Sequence, residues 1–172
     1  MPNATTPTTP TTTIPDDERF MRRAIDLARK VALEDRQAGP FGCVIVKNGE
    51  VVAEGVNRVL IDGDPTAHGE MVAIRAACRI LGTHDLTGCT IYTSSEPCPM
   101  CYAASWWARA DRIVYAGTID DAHTFGGFDD RPILDALNKP PAQRRLPATQ
   151  CCHDEMLEVW KAFKSLPDRP WY

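Results

Sequence analysis

Apolar and polar positions along this chain follow two periods, which predict helices and strands in alternation. The first helical pattern begins at the acidic residues Asp16, Asp17 and Glu18, whose charges suit the N-terminus of a helix. Apolar residues then recur at i, i+4, i+7 and i+11, the spacing of one helix face: Phe20, Ala24, Leu27 and Val31. The segment 37–40 contains glycine and proline and is expected to end this helix.

Two short apolar runs follow, at residues 41–47 and 50–55, on either side of the dipeptide Asn48-Gly49. An Asn-Gly pair between such runs is a strong signal for a two-residue hairpin turn. The sequence therefore predicts two strands joined at this turn.

The rest of the pattern continues to alternate. A helix is predicted over residues 67–81, with a buried stripe of Met71, Ile74, Cys78 and Leu81. A strand is then predicted over 89–93, followed by a helix that starts near the prolines at 97 and 99. A further strand over 112–117 and a last helix over 153–164 complete the pattern. Strands alternating with helices after a leading hairpin indicate an α/β layer sandwich with a mixed sheet.

Composition divides the chain into a tail and a body. Residues 1–15 are mostly threonine and proline and have almost nothing to bury, so we expect a disordered tail. Residues 16–172 are enough for a single domain with a core that needs no disulfides.

Charge and cysteine content narrow the class of protein. There is no run of 18 apolar residues and no basic or apolar leader, so neither a membrane span nor a secretory signal is predicted. Seven cysteines, an odd number, fit a reducing cytoplasm better than a disulfide scaffold. The net charge of −4 argues against a nucleic-acid partner, because a phosphate backbone favours a basic face.

Candidate chemistry is concentrated in residues 66–70 and 95–101. Cys98 and Cys101 stand three apart, so at the start of a helix both thiolates can reach one Zn²⁺ at about 2.3 Å, and His68 can add a nitrogen at about 2.0 Å. Three protein ligands leave a fourth position for water, as in catalytic zinc sites. Glu70 can reach that water without replacing it and act as the proton shuttle. The alternative is a structural or binding module, in which zinc only holds two helices together.

These motifs resemble a known family. The combination of H-x-E with P-C-x-x-C is typical of zinc-dependent nucleobase deaminases. Bacterial guanine deaminases of the cytidine deaminase superfamily are similar to this chain in three runs: HGEMVAIRAAC (68–78), YTSSEPCPMC (92–101) and WAR (107–109). The likeness covers residues 18–172. It implies a three-layer α/β/α sandwich with a mixed five-stranded sheet, and zinc-dependent hydrolysis of guanine to xanthine and ammonia.

The resemblance also implies contacts to the base. Asn57 matches an asparagine that contacts the base, Phe41 matches the pocket wall, and the backbone N–H of Gly69 can serve either a purine or a pyrimidine. Asp130 matches a pocket carboxylate, which can accept the two N–H donors at the N1 and N2 edge of guanine. One extra residue between Tyr115 and this position leaves its neighbour Asp129 as the fallback.

Two aromatic positions complete the predicted site. Trp106 and Trp107 are adjacent, so both cannot face one core, and we expect Trp107 to face the substrate or a partner subunit. The resemblance implies a homodimer in which the C-terminal segment is exchanged between subunits, so that Tyr172 closes the neighbouring site.

Two departures from the family pattern keep other substrates open. Gly69 stands where guanine deaminases usually have alanine, and His-Gly-Glu also occurs in fungal cytosine deaminases, so cytosine remains the alternative, beside another purine, guanosine or a triazine amine. Ser95 stands where the family often has cysteine, which leaves the ligands Cys98 and Cys101 unaffected. The superfamily also includes tRNA adenosine deaminases, which the acidic balance of this chain disfavours.

Overall fold

The computed structural model describes residues 16–170. The predicted tail, residues 1–15, and the predicted site residue Tyr172 lie outside the described residues, as does residue 171. The chain divides into two compact units between Asp130 and Arg131, which are described separately below.

The first unit is built on a mixed sheet. Its strands are β1 (Gly42–Lys47), β2 (Glu50–Val56), β3 (Cys89–Ser95) and β4 (Arg112–Gly117), in the order β2-β1-β3-β4. Strand β1 is antiparallel to both neighbours, and β3 is parallel to β4. The mixed α/β fold is therefore confirmed. The predicted strand count was wrong for the described residues, which form four strands and not five, because the chain after Gly117 turns into short helical segments broken by glycine and proline.

The predicted hairpin is confirmed at its turn. Lys47 pairs with Glu50, and the two residues between them have positive φ angles, 54° at Asn48 and 78° at Gly49. This is the backbone of a type I′ turn, which asparagine and glycine adopt at little cost and whose twist matches that of the strands.

Helices cover both faces of the sheet. The helices of this unit are α1 (Asp17–Arg29), α2 (Val59–Asp62), α3 (Gly69–Leu81), α4 (Pro99–Trp107) and α5 (Ile119–Asp121), with π-helical turns at Lys30–Glu34 and Ala122–Gly126. Alternate residues of β1 separate two apolar clusters, since Val44 and Val46 pack with α1 while Cys43 and Ile45 pack with α3. The three-layer arrangement follows from this alternation.

The buried face of α3 differs by one position from the predicted stripe. Ile74 is buried as expected, but Met71, Cys78 and Leu81 are only half-buried, and the deepest positions are held by small residues, Ala73 and Ala77. The cause is the close approach of α3 to β2. A Cβ atom added at Gly55 would lie 2.2 Å from the carbonyl oxygen of Gly69 and 2.6 Å from the nitrogen of Ala73. Only small residues fit between backbones at this separation.

The second unit contains α6 (Arg131–Leu137), a 3₁₀ turn (Pro141–Gln143) and α7 (His153–Lys164). Helix α7 has the predicted bounds, whereas α6 was not predicted. None of residues 131–170 is buried. No helix in residues 16–170 is long and apolar enough to cross a membrane.

Candidate active site

Two helix N-termini bring the predicted metal ligands together. His68 is the N-cap residue of α3, and Cys98 is the N-cap residue of α4, with Cys101 in the first turn of that helix. The Nδ1 atom of His68 lies 3.6 Å from each of the two Sγ atoms, and all three ligand atoms lie within 4.8 Å of one another. Tetrahedral zinc with Zn–S of about 2.3 Å and Zn–N of about 2.0 Å separates its ligand atoms by about 3.5 to 3.8 Å. The three side chains therefore fit one zinc ion.

The two thiols share a proton. A hydrogen bond from Cys101, with a further contribution from His68, lowers the pKa of Cys98 to about 4. The same hydrogen bond, together with burial, raises the pKa of Cys101. A bound divalent cation would displace that proton, because thiolate is the form that binds metal.

Glu70 lies in the first turn of α3, two residues after His68, and is buried. Thr93 Oγ1, at the end of the neighbouring strand β3, donates a hydrogen bond to Glu70 Oε1 at 3.1 Å. Burial raises the pKa of this carboxyl. The arrangement fixes one carboxylate oxygen and places the group beside the ligand cluster.

A cavity opens over the ligand cluster, and it lies entirely within the first unit. Six of the predicted site residues line it: Phe41, Asn57, His68, Glu70, Cys98 and Asp130. Five further residues complete the lining: Ser95, Glu96, Ile119, Ala122 and Phe128. The structure thus brings together residues from positions 41 to 130 around the space in front of the metal ligands.

The two candidate carboxylates of the 129–130 pair are separated by the structure. Asp130 lines the cavity, and burial raises the pKa of its carboxyl. Asp129 is exposed, and its Oδ2 atom lies 3.6 Å from Nδ1 of His123. The backbone register therefore gives the cavity position to Asp130 and not to the fallback residue.

Asn57 is buried, with only 8% of its surface exposed, and its amide is oriented by the backbone. The N–H of Val59 donates to Asn57 Oδ1 at 3.1 Å, and the N–H of Asn57 donates to the carbonyl of Phe41 at 2.9 Å. This bond assigns the oxygen of the amide, so the other polar group of the side chain is the NH₂ donor.

Two predicted residues lie elsewhere. Trp107 ends α4, is 64% exposed and lines a surface depression with Trp106, Arg109 and Ala110, so the structure does not bring it to the cavity. A helix that places Cys101 on the cluster carries Trp107 away, because six residues later the side chain points in another direction. Gly69 is buried behind the lining, where an added Cβ would lie 3.2 Å from the carbonyl oxygen of Phe41.

Sequence reasoning missed Phe128 as a lining residue. Its ring packs edge-on against Phe41, with centroids 4.9 Å apart and an interplanar angle of 80°. An added Cβ at Gly39 would come within 3.0 Å of both rings. An aromatic residue two positions before the candidate pocket carboxylate Asp130 was the available sequence signal.

Comparison with known proteins identifies a family to which the sequence matches and proteins that are similar to it. The family model for the cytidine and deoxycytidylate deaminase zinc-binding region matches residues 14–117. Guanine deaminase from Bacillus subtilis is 43% identical over 155 residues, covering 90% of this chain and 98% of that protein.

Solved structures agree with that likeness. The X-ray structure of guanine deaminase from Bacillus subtilis matches with a TM-score of 0.85 at 42% identity, covering 90% of this chain and 98% of that one. A structure of guanine deaminase from Nitrosomonas europaea matches with a TM-score of 0.61 at 33% identity, covering 66% and 64% of the two chains.

Proposed function

This chain belongs to the family that shares the cytidine and deoxycytidylate deaminase zinc-binding region, and from that premise we propose that it hydrolyses guanine to xanthine and ammonia. The observation that carries the proposal is the position of Asp130 in the same cavity as Glu70 and the His68, Cys98 and Cys101 cluster. The likeness to a guanine deaminase over nearly that protein's whole length supports it.

His68, Cys98 and Cys101 would hold the zinc ion, because their spacing fits tetrahedral coordination and their thiols share a displaceable proton. When bound there, zinc supplies the Lewis acidity that makes hydroxide from water available near neutral pH. No redox or nucleotide cofactor is needed for hydrolytic deamination.

Glu70 acts as the proton shuttle. It takes a proton from the attacking water, delivers it to the ring nitrogen beside the attacked carbon, and later protonates the departing amine, which leaves as ammonia. Thr93 holds one oxygen of Glu70 at 3.1 Å, so the carboxylate keeps a fixed orientation in the cavity. Proton transfer from a positioned group of this kind contributes about 10² to 10⁴ in rate.

Asp130 and Asn57 together favour guanine. The carboxylate of Asp130 accepts from N–H donors, which guanine presents at N1 and N2, whereas adenine and cytosine have a ring acceptor in place of N1–H. The Asn57 amide offers a donor, because its oxygen already accepts from Val59, and the carbonyl of guanine is an acceptor. A buried polar group left unpaired by the wrong base is the strongest available means of discrimination.

Cytosine is the alternative substrate, because Gly69 resembles the cytosine deaminase pattern. Gly69 does not line the cavity, however, and a Cβ there would face the backbone of Phe41. Gly69 therefore does not distinguish the two bases, and the preference for guanine rests on Asp130.

A homodimer in the cytoplasm completes the proposal. Helices α6 and α7 have no buried residue but present many apolar side chains that a partner subunit would cover: Ile133, Leu134, Leu137, Met156, Leu157, Val159 and Trp160. The first unit likewise exposes Trp106 and Trp107. Large exposed apolar surfaces of this kind are typical of subunit interfaces. All seven cysteines are free thiols, which fits a reducing compartment.

Metal removal and restoration tests whether the site is catalytic. We expect about one zinc per chain by elemental analysis, loss of ammonia release from guanine after chelation, and recovery on adding Zn²⁺. The variants Cys98→Ala and Cys101→Ala should lose metal and activity together, whereas Cys78→Ala, which lies outside the cluster, should keep both. Zinc retained at full stoichiometry by the Cys98→Ala, Cys101→Ala double variant would refute the ligand assignment.

A further inference from the structure

Glu96 connects the ligand loop, which we define as residues 96–98 before α4, to the segment that follows β4. It lies between the end of β3 and Cys98, and it is half-buried in the cavity lining. Its backbone N–H donates to the carbonyl of Gly117, the last residue of β4, at 2.7 Å. Its side-chain Oε2 accepts a hydrogen bond from the N–H of Ile119, the first residue of α5, at 3.1 Å. One residue therefore holds both the end of β4 and the start of the segment that follows.

That segment supplies one wall of the cavity. Residues 118–130 contribute four lining residues, namely Ile119, Ala122, Phe128 and Asp130. The lining outside this segment includes His68, Glu70 and Cys98. The separation between these two parts of the lining determines how a flat base fits between Asp130 and Glu70.

The wall segment contacts other parts of the first unit near both of its ends. Within its first turn, Thr118 and Asp121 form a capping box with each other, which satisfies the N–H groups of these two residues. The N–H of Ile119 lies between them and is bound by Glu96 instead. Near its end, Phe128 packs against Phe41. The Glu96 carboxylate thus gives the first turn of this segment a fixed position relative to the ligand loop.

We propose that Glu96 is a positioning residue for substrate selection: by holding the N–H of Ile119, its carboxylate fixes the wall that carries Asp130 at the distance guanine requires from Glu70 and the metal ligands. This inference rests on the proposed function, because it uses guanine as the substrate. It assigns Glu96 no proton transfer and no metal contact. Its role is to accept a hydrogen bond, which a neutral amide oxygen can also do.

Substitution at position 96 separates this role from a general structural one. In Glu96→Ala the wall is released, so we expect KM for guanine to rise about tenfold or more, the preference for guanine over cytosine to fall, and zinc content to remain at the wild-type level. Glu96→Gln keeps an oxygen acceptor for Ile119, so it should restore KM and the preference to within about threefold of wild type. A pH profile unchanged in all variants is expected, because Glu96 transfers no proton.

Hydrogen exchange supplies a readout that does not depend on turnover. Amide exchange of residues 118–130 should be faster in Glu96→Ala than in wild type or Glu96→Gln, with residues 69–81 of α3 unchanged. The control is Asp121→Ala, which breaks the capping box of the same turn without touching the cavity lining. It should speed exchange near residue 121 while leaving the preference for guanine over cytosine unchanged.

The outcomes are distinguishable. A Glu96→Gln variant as impaired as Glu96→Ala, or unchanged exchange in residues 118–130 of Glu96→Ala, would overturn the positioning role even if the wild-type protein deaminates guanine. Loss of zinc in Glu96→Ala would overturn it as well, because the defect would then lie in the ligand loop. A wild-type protein that is inactive on guanine would refute the proposed function and, with it, the role of Glu96 in selecting guanine. Faster exchange in Glu96→Ala would then show only that the contact holds residues 118–130 in place.

Discussion

The metal ligands owe their position to short sequence stretches that each fix a helix N-terminus. His68 and Cys98 are both N-cap residues in extended backbone conformation, with ψ of 157° and 165°. Pro99 follows Cys98 at the first helical position, where its missing N–H is not needed and its fixed φ suits the helix. Because ligand spacing and capping are local properties, the sequence was sufficient to predict this cluster and the adjacent Glu70.

The Glu70 carboxylate is expected to carry the proton transfer. In Glu70→Gln the amide still accepts the hydrogen bond from Thr93, so the fold and zinc content should be retained while kcat falls by about 10² or more. Steady-state kinetics with zinc analysis of the same preparation measures both. Near-normal turnover in this variant would mean that another group does the acid-base work.

Asp130 and Asp129 form a matched pair for testing base recognition. Asp130→Ala removes the carboxylate from the cavity, and we expect kcat/KM for guanine to fall more than tenfold with zinc retained. Asp129→Ala changes an exposed carboxylate next to His123 and should lower it less than threefold. Equal losses in the two variants would contradict the assignment of the cavity position to Asp130.

Other residues of the site depend on tertiary packing that a single sequence does not display. The register of Asp130 was open, because the family resemblance implied one extra residue between Tyr115 and Asp130, and this segment contains a π-helical turn at Ala122–Gly126. Phe128 lines the cavity and packs against Phe41, which is distant in sequence. Trp107 is the opposite case. Its position next to Trp106 suggested a site role, but it lies at the end of α4 in a surface depression outside the cavity.

Close packing between helices and strands organises the first unit at the scale of elements. An added Cβ at Gly42 would lie 2.3 Å from the carbonyl oxygen of Ala24, in the same way that Gly55 lies against α3. Glycine and alanine at these contacts let each helix approach the sheet closely. Hydrophobic periodicity predicted helix α3 itself, but it predicted the larger apolar residues of α3 as the buried ones. Periodicity does not show how closely two backbones approach, and this distance decides that small residues are buried here.

A buried polar contact joins α1 to the strands. The hydroxyl of Tyr92 in β3 donates to Asp17 Oδ1 at 2.7 Å, and Arg112 in β4 also binds the Asp17 carboxylate. Burial, together with the hydrogen bond to Asp17, raises the pKa of Tyr92 to about 12. The neutral phenol is thus favoured in the folded protein relative to the unfolded chain, where the pKa is about 10.

Tyr92→Phe should therefore destabilise the protein in a pH-dependent manner. The contribution of Tyr92 is present in full below about pH 10 and is lost as the pH rises towards 12, because the folded-state pKa is the higher one. Below pH 10 we expect the variant to lower the free energy of unfolding by about 1 to 3 kcal/mol. Urea denaturation at several pH values measures this difference. Tyr102→Phe, at an exposed tyrosine, is the control and should change little, and a pH-independent loss in Tyr92→Phe would contradict the stated cause.

At the scale of the whole molecule, the second unit has several large apolar side chains that are exposed. Trp160 is 59% and Leu137 54% exposed. Helix α7 was predicted within its observed bounds from its apolar spacing, whereas α6 is short and begins with Arg131-Pro132, which periodicity alone does not identify. The fifth strand was expected from the family resemblance, and the described residues contain four.

The proposed dimer gives the C-terminal end a function. Deleting residues 171 and 172 removes the aromatic tail that we expect to close the neighbouring site, so kcat/KM for guanine should fall more than tenfold while zinc content stays unchanged. Analytical ultracentrifugation should find the full chain as a dimer. A monomeric, fully active enzyme, or an unchanged rate after the deletion, would return this segment to the status of an exposed terminus.

The central claim is that this zinc site selects guanine, and the kinetics of the unmodified, zinc-loaded protein test it most directly. The measurement is kcat/KM for ammonia release from guanine and cytosine, with adenine, guanosine and a triazine amine in the same series. We expect guanine to be preferred over cytosine by a factor that can reach about 10⁴, because the wrong base leaves the Asp130 carboxylate unpaired. Faster deamination of cytosine than of guanine would contradict this account and would make Gly69 the informative residue.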